Sequence, residues 1–597
     1  MTDWSQEVLN SEQLAAIEEP GSVVLVACPG SGKTRTLTYK VAEELAKLES
    51  ERQFVVAITY THRAAEEIEE RVAQLGVDTQ QLWIGTIHAF CLEWIIRPYA
   101  IYHPRLRDGY HVINSHEAEQ IIADLCSSSL PRITHFDCGY HFTTSERVLQ
   151  EPKAWKHAAI NAVLDRYVVE LENRQEVDFE HILLYASDLI QSRPEISKLL
   201  SRIFTFVAVD EYQDTREIQY AIVGSILRAG AGAVRALFVG DPNQAIFGSL
   251  GGYAIDPIKY STQTGLTFRT MELSRNYRSS ARIIDYFGHF KVAGSPIEAA
   301  SSAADYPSEI TFDDSLKRSD LEDEIVRLIR HSVDDLGVPT YEICVIAPWW
   351  AHLAALTRSL VAALPEYNFD GPGLTPFSRD HDNFWYKLAR IGLTQASPTM
   401  FVSRLRWARE ILNDLNAVAL STGDLDARSL LRLSNGIHLD ETDGLDYLRT
   451  YFDRVFAFLR IDFSLVPALA GQHIAFFRES RARIERLKRD GTPFATDIEV
   501  FRKVFRPRSG ITVSTIHGIK GAEFDTVIAF ALMDGMVPHF NDADQLDGAK
   551  RLLYVIGSRA RKNLHLIAER GRRRGGNWGD YTTSVPLKNL AYEYDNG

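Results

Sequence analysis

Residues 22–34 read SVVLVACPGSGKT, and their reading decides the fold. A short apolar, mostly β-branched run breaks into glycines and ends in Gly32-Lys33-Thr34, and TRTLTYKVAEEL from residue 34 onward is helical in pattern. The order is therefore strand, phosphate loop, helix. Gly30 and Gly32 let backbone N–H groups approach phosphate oxygens at the positive end of a helix. Lys33 brings a point charge for the terminal phosphates, and the Thr34 hydroxyl is a ligand for Mg²⁺. The candidate cradle is Cys28, Pro29, Gly30, Ser31, Gly32, Lys33 and Thr34, with Arg35 behind it. The full phosphate-loop pattern has glycine where Ala27 stands, so by itself the loop leaves an ordinary glycine-rich turn open.

A second stretch closes that alternative. Residues 203–215 read IFTFVAVDEYQDT, an apolar run suited to a strand buried on both faces that ends abruptly in two carboxylates. Acidic groups at the carboxyl end of a parallel strand face the ligand crevice. Asp210 is the candidate Mg²⁺ ligand, and Glu211 is placed beside it to orient and deprotonate an attacking water. Together the two stretches read as a site for a nucleotide with Mg²⁺.

The chain of 597 residues is too long for one core and points to about three to five domains, some inserted in others. Hydrophobic residues make up 45% and charged residues 24%, so disorder accounts for little of it. No apolar stretch approaches the ~20 residues that span a bilayer, and MTDWSQEV lacks a basic-then-apolar signal, so a cytoplasmic protein with no membrane partner is expected. Five cysteines without a CxxC pair speak against a disulfide framework or a zinc ribbon. The net charge of −14 disfavours a polyanion as a global partner but does not report a local groove. Arg570, Arg572, Arg573 and Arg574 form the one basic concentration, read as a solvated loop.

Together ACPGSGKT, DEYQDT and VGDPNQAIF (239–247) resemble the superfamily 1 helicases of the UvrD, Rep and PcrA group. The resemblance continues in family order: LNSEQLAA (9–16) looks like the adenine-reading motif, ITYTHRAAEEIEER (58–71) like motif Ia, and GTIHAFC (85–91) like motif Ib. LSRNYRS (273–279) resembles motif IV, VSTIHGIKGAEFDTV (513–527) motif V, and RLLYVIGSRARK (551–562) motif VI. It implies an α/β fold of two RecA-like phosphate-loop domains with parallel sheets, each carrying a mainly helical inserted subdomain. The first core is expected over 1–91 and 201–272 around an insertion at 92–200, and the second over 273–375 and 508–597 around an insertion at 376–507. Pro372 and Pro376 mark entry to the latter. In the first insertion, Ile182, Leu183, Ala186, Leu189 and Ile190 recur at helical spacing and read as core.

The same resemblance implies roles. Arg559 and Arg278 are candidate arginine fingers, Gln244 the γ-phosphate sensor, and Asp241 a support for metal-bound water. Gln13 reads the adenine edge, since an amide donates and accepts at once. Tyr277 stacks on the base and Glu523 meets the ribose. Strand contacts fall to Tyr60, His88, Phe247 and His517, the aromatics because sequence-independent grip combines phosphate contacts with stacked bases. Departures from the family pattern lie mainly on the strand side: Gly248, Ser249, Leu250, Gly251 and Gly252 stand where an aromatic, an arginine and Gly-Ala usually follow. His62, Arg63, Ala522 and Ser558 are milder changes.

The function so implied is an ATP-dependent translocase or helicase on single-stranded DNA or a tailed duplex, with 3′ to 5′ polarity, acting in DNA repair or anti-phage defence. The alternative is an accessory, DNA-sensing ATPase that regulates a partner nuclease and unwinds little, as in two-gene anti-phage systems of the Gabija kind, which this chain is similar to in its compact design. A fused nuclease is not expected, because only about 35 residues follow motif VI.

Overall fold

The computed structural model describes residues 9–294, 296–371, 376–377, 383–418, 420, 425–489, 496–505, 510–542, 544–574 and 579–595. Pro372, the expected boundaries at 375 and 508, and the side chains of His62 and Arg63 lie outside the described residues. The chain forms two compact units, residues 1–310 with 533–564 and 581–596, and residues 311–532 with 565–580.

The first unit is built on a six-stranded sheet in the order Phe268–Leu273, Ser22–Ala27, Arg235–Gly240, Phe204–Asp210, Phe54–Thr59, Leu82–Thr86, every neighbouring pair parallel. Its strands read as continuous apolar runs because both faces are covered. Val23, Leu25, Ala57, Phe206, Ala208, Leu237 and Val239 pack under the helix Lys33–Ala46, with Leu37 and Val41. The alternate residues Val24, Val56, Val207, Val209, Ala236 and Phe238 face a second core on the other side. Ile182, Leu183, Ala186, Leu189 and Ile190, on the helix Phe179–Ser192, belong to that second core. Residues between 113 and 171 close instead around their own core, centred on Ile160, Leu164 and Tyr167.

Segments 273–310 and 533–564, expected in the second core, group with the first unit. The Ser279 hydroxyl donates to the Ala560 carbonyl (2.6 Å), and the Ser274 N–H and hydroxyl donate to the Glu12 carboxylate (2.9 and 2.6 Å). These bonds seat the motif IV and motif VI stretches on the phosphate-loop domain.

The second unit holds the strands Phe524–Ala529, Ile343–Ala347, Ile511–Thr515 and Phe369–Asp370, neighbours in that order in a six-stranded sheet. Ile343–Ala347 lies parallel to both of its neighbours, with Cys344 opposite Val527 on one side and Thr512 on the other. Between 383 and 505 an aromatic-rich helical body has a separate core in which Trp385 is fully buried, its indole N–H donating to the Leu469 carbonyl (2.8 Å). No described helix is long and apolar enough to cross a membrane. Arg572 corrects one reading: it is buried, its guanidinium bonded to the buried Glu569 carboxylate, while Arg570 pairs with Asp314 at 3.5 Å and is exposed.

Candidate nucleotide site and strand surface

The phosphate loop is fixed from both ends. Upstream, the Cys28 N–H donates to the Leu273 carbonyl (3.1 Å), and the Ser31 hydroxyl donates to the Cys28 carbonyl (2.7 Å). Downstream, the helix Lys33–Ala46 is anchored by the buried Lys40–Glu44 pair (3.2 Å), and the Lys40 ammonium also donates to the Ile17 carbonyl (2.8 Å). Gly30 (φ 69°) and Gly32 (φ 83°) are left-handed. A Cβ at Gly30 would lie 2.6 Å from the Arg278 Cβ, and one at Gly32 2.6 Å from Gln13 Nε2, so no other residue fits without displacing those side chains.

Gln13 is buried, and its amide orientation is set by the protein. Its Oε1 accepts from the Asn10 N–H (3.0 Å) and its Nε2 donates to the Ser31 carbonyl (2.9 Å). One further donor and one lone pair remain on that amide for an adenine edge. Tyr277, 43% exposed, is tied in by its N–H to the Gly30 carbonyl (2.9 Å) and by the Asn10 side chain to its hydroxyl (2.7 Å). Asn276, which sequence reasoning passed over inside RNYRS, accepts from the Arg278 and Ser279 N–H groups (2.7 and 2.9 Å) and so shapes the turn that carries Arg278.

Asp210 ends its strand beside the loop. Burial pushes its carboxyl up to about 7, the neighbouring Glu211 carboxylate adds to that, and the Lys33 ammonium opposes it. Among the described residues no group of three or more His, Cys, Asp or Glu is placed to hold a metal. A single carboxylate with Thr34 is the donor set suited to a magnesium ion shared with phosphates. Glu211 has φ 51°, a conformation L residues rarely adopt, and accepts from the Gln213 amide.

Arg559 is 2% exposed, and its Nη2 donates to Gln244 Oε1 (2.9 Å) and to Ser558 Oγ (3.0 Å). The Arg278 Nη1 donates to the Ser558 carbonyl (3.0 Å), so both finger candidates converge on one serine. Gln244 Nε2 donates to Asp241 Oδ2 (2.9 Å), whose other oxygen caps the turn at Asn243 (3.0 Å). The structure thus brings Gln13, Gly30, Lys33, Asp210, Glu211, Gln244, Tyr277, Arg278 and Arg559 into one unit. Glu523, before the strand Phe524–Ala529, and His517, exposed on the turn His517–Ile519, belong to the other.

On the strand side, Tyr60 and Phe247 meet: their rings stack at 5.1 Å and 28°, and Tyr60 remains 46% exposed. His88, on the helix Ile87–Phe90, meets Phe179 edge-on at 5.6 Å. The segment after Phe247 turns tightly over Gly248–Leu250, and Gly251 (φ 87°) abuts the inserted subdomain, where a Cβ would lie 2.6 Å from His141 Nε2.

Fold and site together define a phosphate-loop protein with two parallel sheets. Two family models match the chain: the UvrD/REP helicase N-terminal domain over residues 9–254 and the UvrD-like helicase C-terminal domain over 500–571. The chain belongs to the UvrD/REP helicase family. It is 29% identical to a probable DNA helicase II homolog of Mycoplasma capricolum over 48% of this chain and 41% of that one. Against the ATP-dependent DNA helicase PcrA of Leuconostoc citreum it is 28% identical over 46% of this chain and 38% of that one. These two matches span about two fifths of the relatives' own length. Against the ATP-dependent DNA helicase PcrA of Staphylococcus epidermidis it is 22% identical over 94% of this chain and 83% of the relative.

Proposed function

We propose that this protein is an ATP-dependent DNA translocase and helicase that moves 3′ to 5′ on single-stranded DNA or a tailed duplex. The observation that carries the reading is the meeting of Arg559 with Gln244 at 2.9 Å in the unit that holds the phosphate loop. A finger and a sensor already in contact respond together to charge at one phosphate.

The residues fit a nucleoside triphosphate with Mg²⁺: the two left-handed glycines form a cradle that a Cβ would fill, and Thr34 and Asp210 would hold the metal. When bound, ATP supplies a phosphoanhydride whose cleavage releases the free energy for movement. Lys33 holds the terminal phosphates, Glu211 takes the proton of the attacking water, and Arg559 and Arg278 bring positive charge where negative charge develops. Gln13 and Tyr277 orient the base, with Glu523 on the ribose. Tyr60 and Phe247 form the stacking platform for the strand, joined by His88 and His517. In this reading the two RecA-like cores keep the boundaries expected from the motifs, and bonds such as Ser274 to Glu12 and Arg559 to Gln244 carry motifs IV and VI to the first.

The glycine segment at 248–252 favours one refinement. The small Ser249 stands near where the family's stacking aromatic falls, and Gly251 two residues on abuts His141, which supports weak unwinding and a role beside a partner nuclease. Strand displacement on 3′-tailed duplexes, with and without such a nuclease, tests both. Unwinding on 5′-tailed substrates alone would reverse the polarity, and vigorous unwinding by the isolated chain would remove the accessory role.

A further inference from the structure

We propose that Gln213 positions the base, tying the Glu211 carboxylate to the loop that carries the γ-phosphate sensor. The proposal rests on the reading above and adds to it a residue assigned no role there. Gln213 is fully buried on the turn Tyr212–Asp214, and both ends of its amide are used. Its Nε2 donates to Glu211 Oε2, and its Oε1 accepts the Asp241 backbone N–H at 3.0 Å. The backbone N–H only donates and therefore fixes which end of the amide is oxygen, so the end facing Glu211 is the donor.

From Asp241 the path continues through its carboxylate to Gln244 (2.9 Å) and from Gln244 to Arg559 (2.9 Å). A displacement of the sensor loop is thus carried to the base through one amide. Gly240 makes room for it: at the end of the strand Arg235–Gly240, a Cβ would lie 2.1 Å from Gln213 Oε1. Glu211 itself holds a left-handed backbone conformation that L residues rarely adopt, and its carboxylate accepts from this amide.

Two variants of the full chain test the proposal in steady-state ATP hydrolysis with single-stranded DNA. Gln213→Met keeps the volume and loses both bonds, while Gly240→Ala keeps the glutamine and displaces its amide. The expected result is a kcat at least tenfold lower for Gln213→Met and several-fold lower for Gly240→Ala, with KM for ATP within about threefold of the parent in both. A residue that merely supports the turn would instead move KM and the melting temperature together with kcat. Parental kcat in a folded Gln213→Met overturns the proposal, and where that variant does not fold, parental kcat in Gly240→Ala does so. If the parent shows no hydrolysis that Lys33→Ala removes, the functional reading itself fails and this inference with it.

Discussion

The phosphate-loop region and the strand surface are built from opposite materials. Around the candidate nucleotide site the polar groups are bonded in series, Glu211 to Gln213, Gln213 to Asp241, Asp241 to Gln244 and Gln244 to Arg559. On the strand side two half-exposed rings lean on each other and the chain then runs into glycines. A buried polar network fails when one member is lost, because the remaining members are left unsatisfied. An exposed platform loses only its own stacking. Chemistry is therefore expected to be sensitive to single substitutions and strand binding to be graded.

The largest effects should come from the buried network. Glu211→Gln should lower ATP turnover on the order of 10²- to 10⁴-fold while ATP still binds, and Lys33→Ala should lose turnover and nucleotide affinity together. Equilibrium binding of a fluorescent ATP analogue separates the two, and parental turnover in Glu211→Gln would remove the base assignment. Arg559→Ala should follow with roughly 10²- to 10³-fold lower kcat and a much smaller change in nucleotide affinity. Arg573→Ala is the control; a comparable loss there would mean that the finger lies elsewhere.

The strand side should respond less. Gly251→Ala places a Cβ against His141 on a left-handed backbone and should destabilise the protein by about 1–3 kcal/mol, read as a lower melting temperature. Tyr60→Ala should weaken single-strand binding by about tenfold, since stacking is worth ~1–3 kcal/mol per base. Ser249→Trp should tighten it and improve strand displacement. Unchanged strand affinity in both would move the strand contacts away from this surface.

The strand ends that carry the candidate site were legible in the sequence because their signals are local. A doubly buried strand is a continuous apolar run, and Gly30, Gly32 and the Asp210–Glu211 pair follow such runs directly. Four features were not legible, the first three because each depends on a partner far along the chain. Gln213 gains its place from the missing side chain at Gly240, and Gly251 from His141 in the insertion. Segments 273–310 and 533–564 group with the first unit through bonds such as Ser274 to Glu12 and Arg559 to Gln244, which motif order does not encode. Arg572 looked solvated within an arginine run, yet Glu569 three residues earlier gives it a buried partner.

The central claim is that a strand-responsive motor is driven from the phosphate-loop site. Its most direct test is the steady-state rate of ATP hydrolysis with and without single-stranded DNA, for the parent and for Glu211→Gln. The expected result is hydrolysis by the parent that rises several-fold with the strand, and none above background in Glu211→Gln under either condition. A parental rate indifferent to DNA, or one that survives Glu211→Gln, would contradict it.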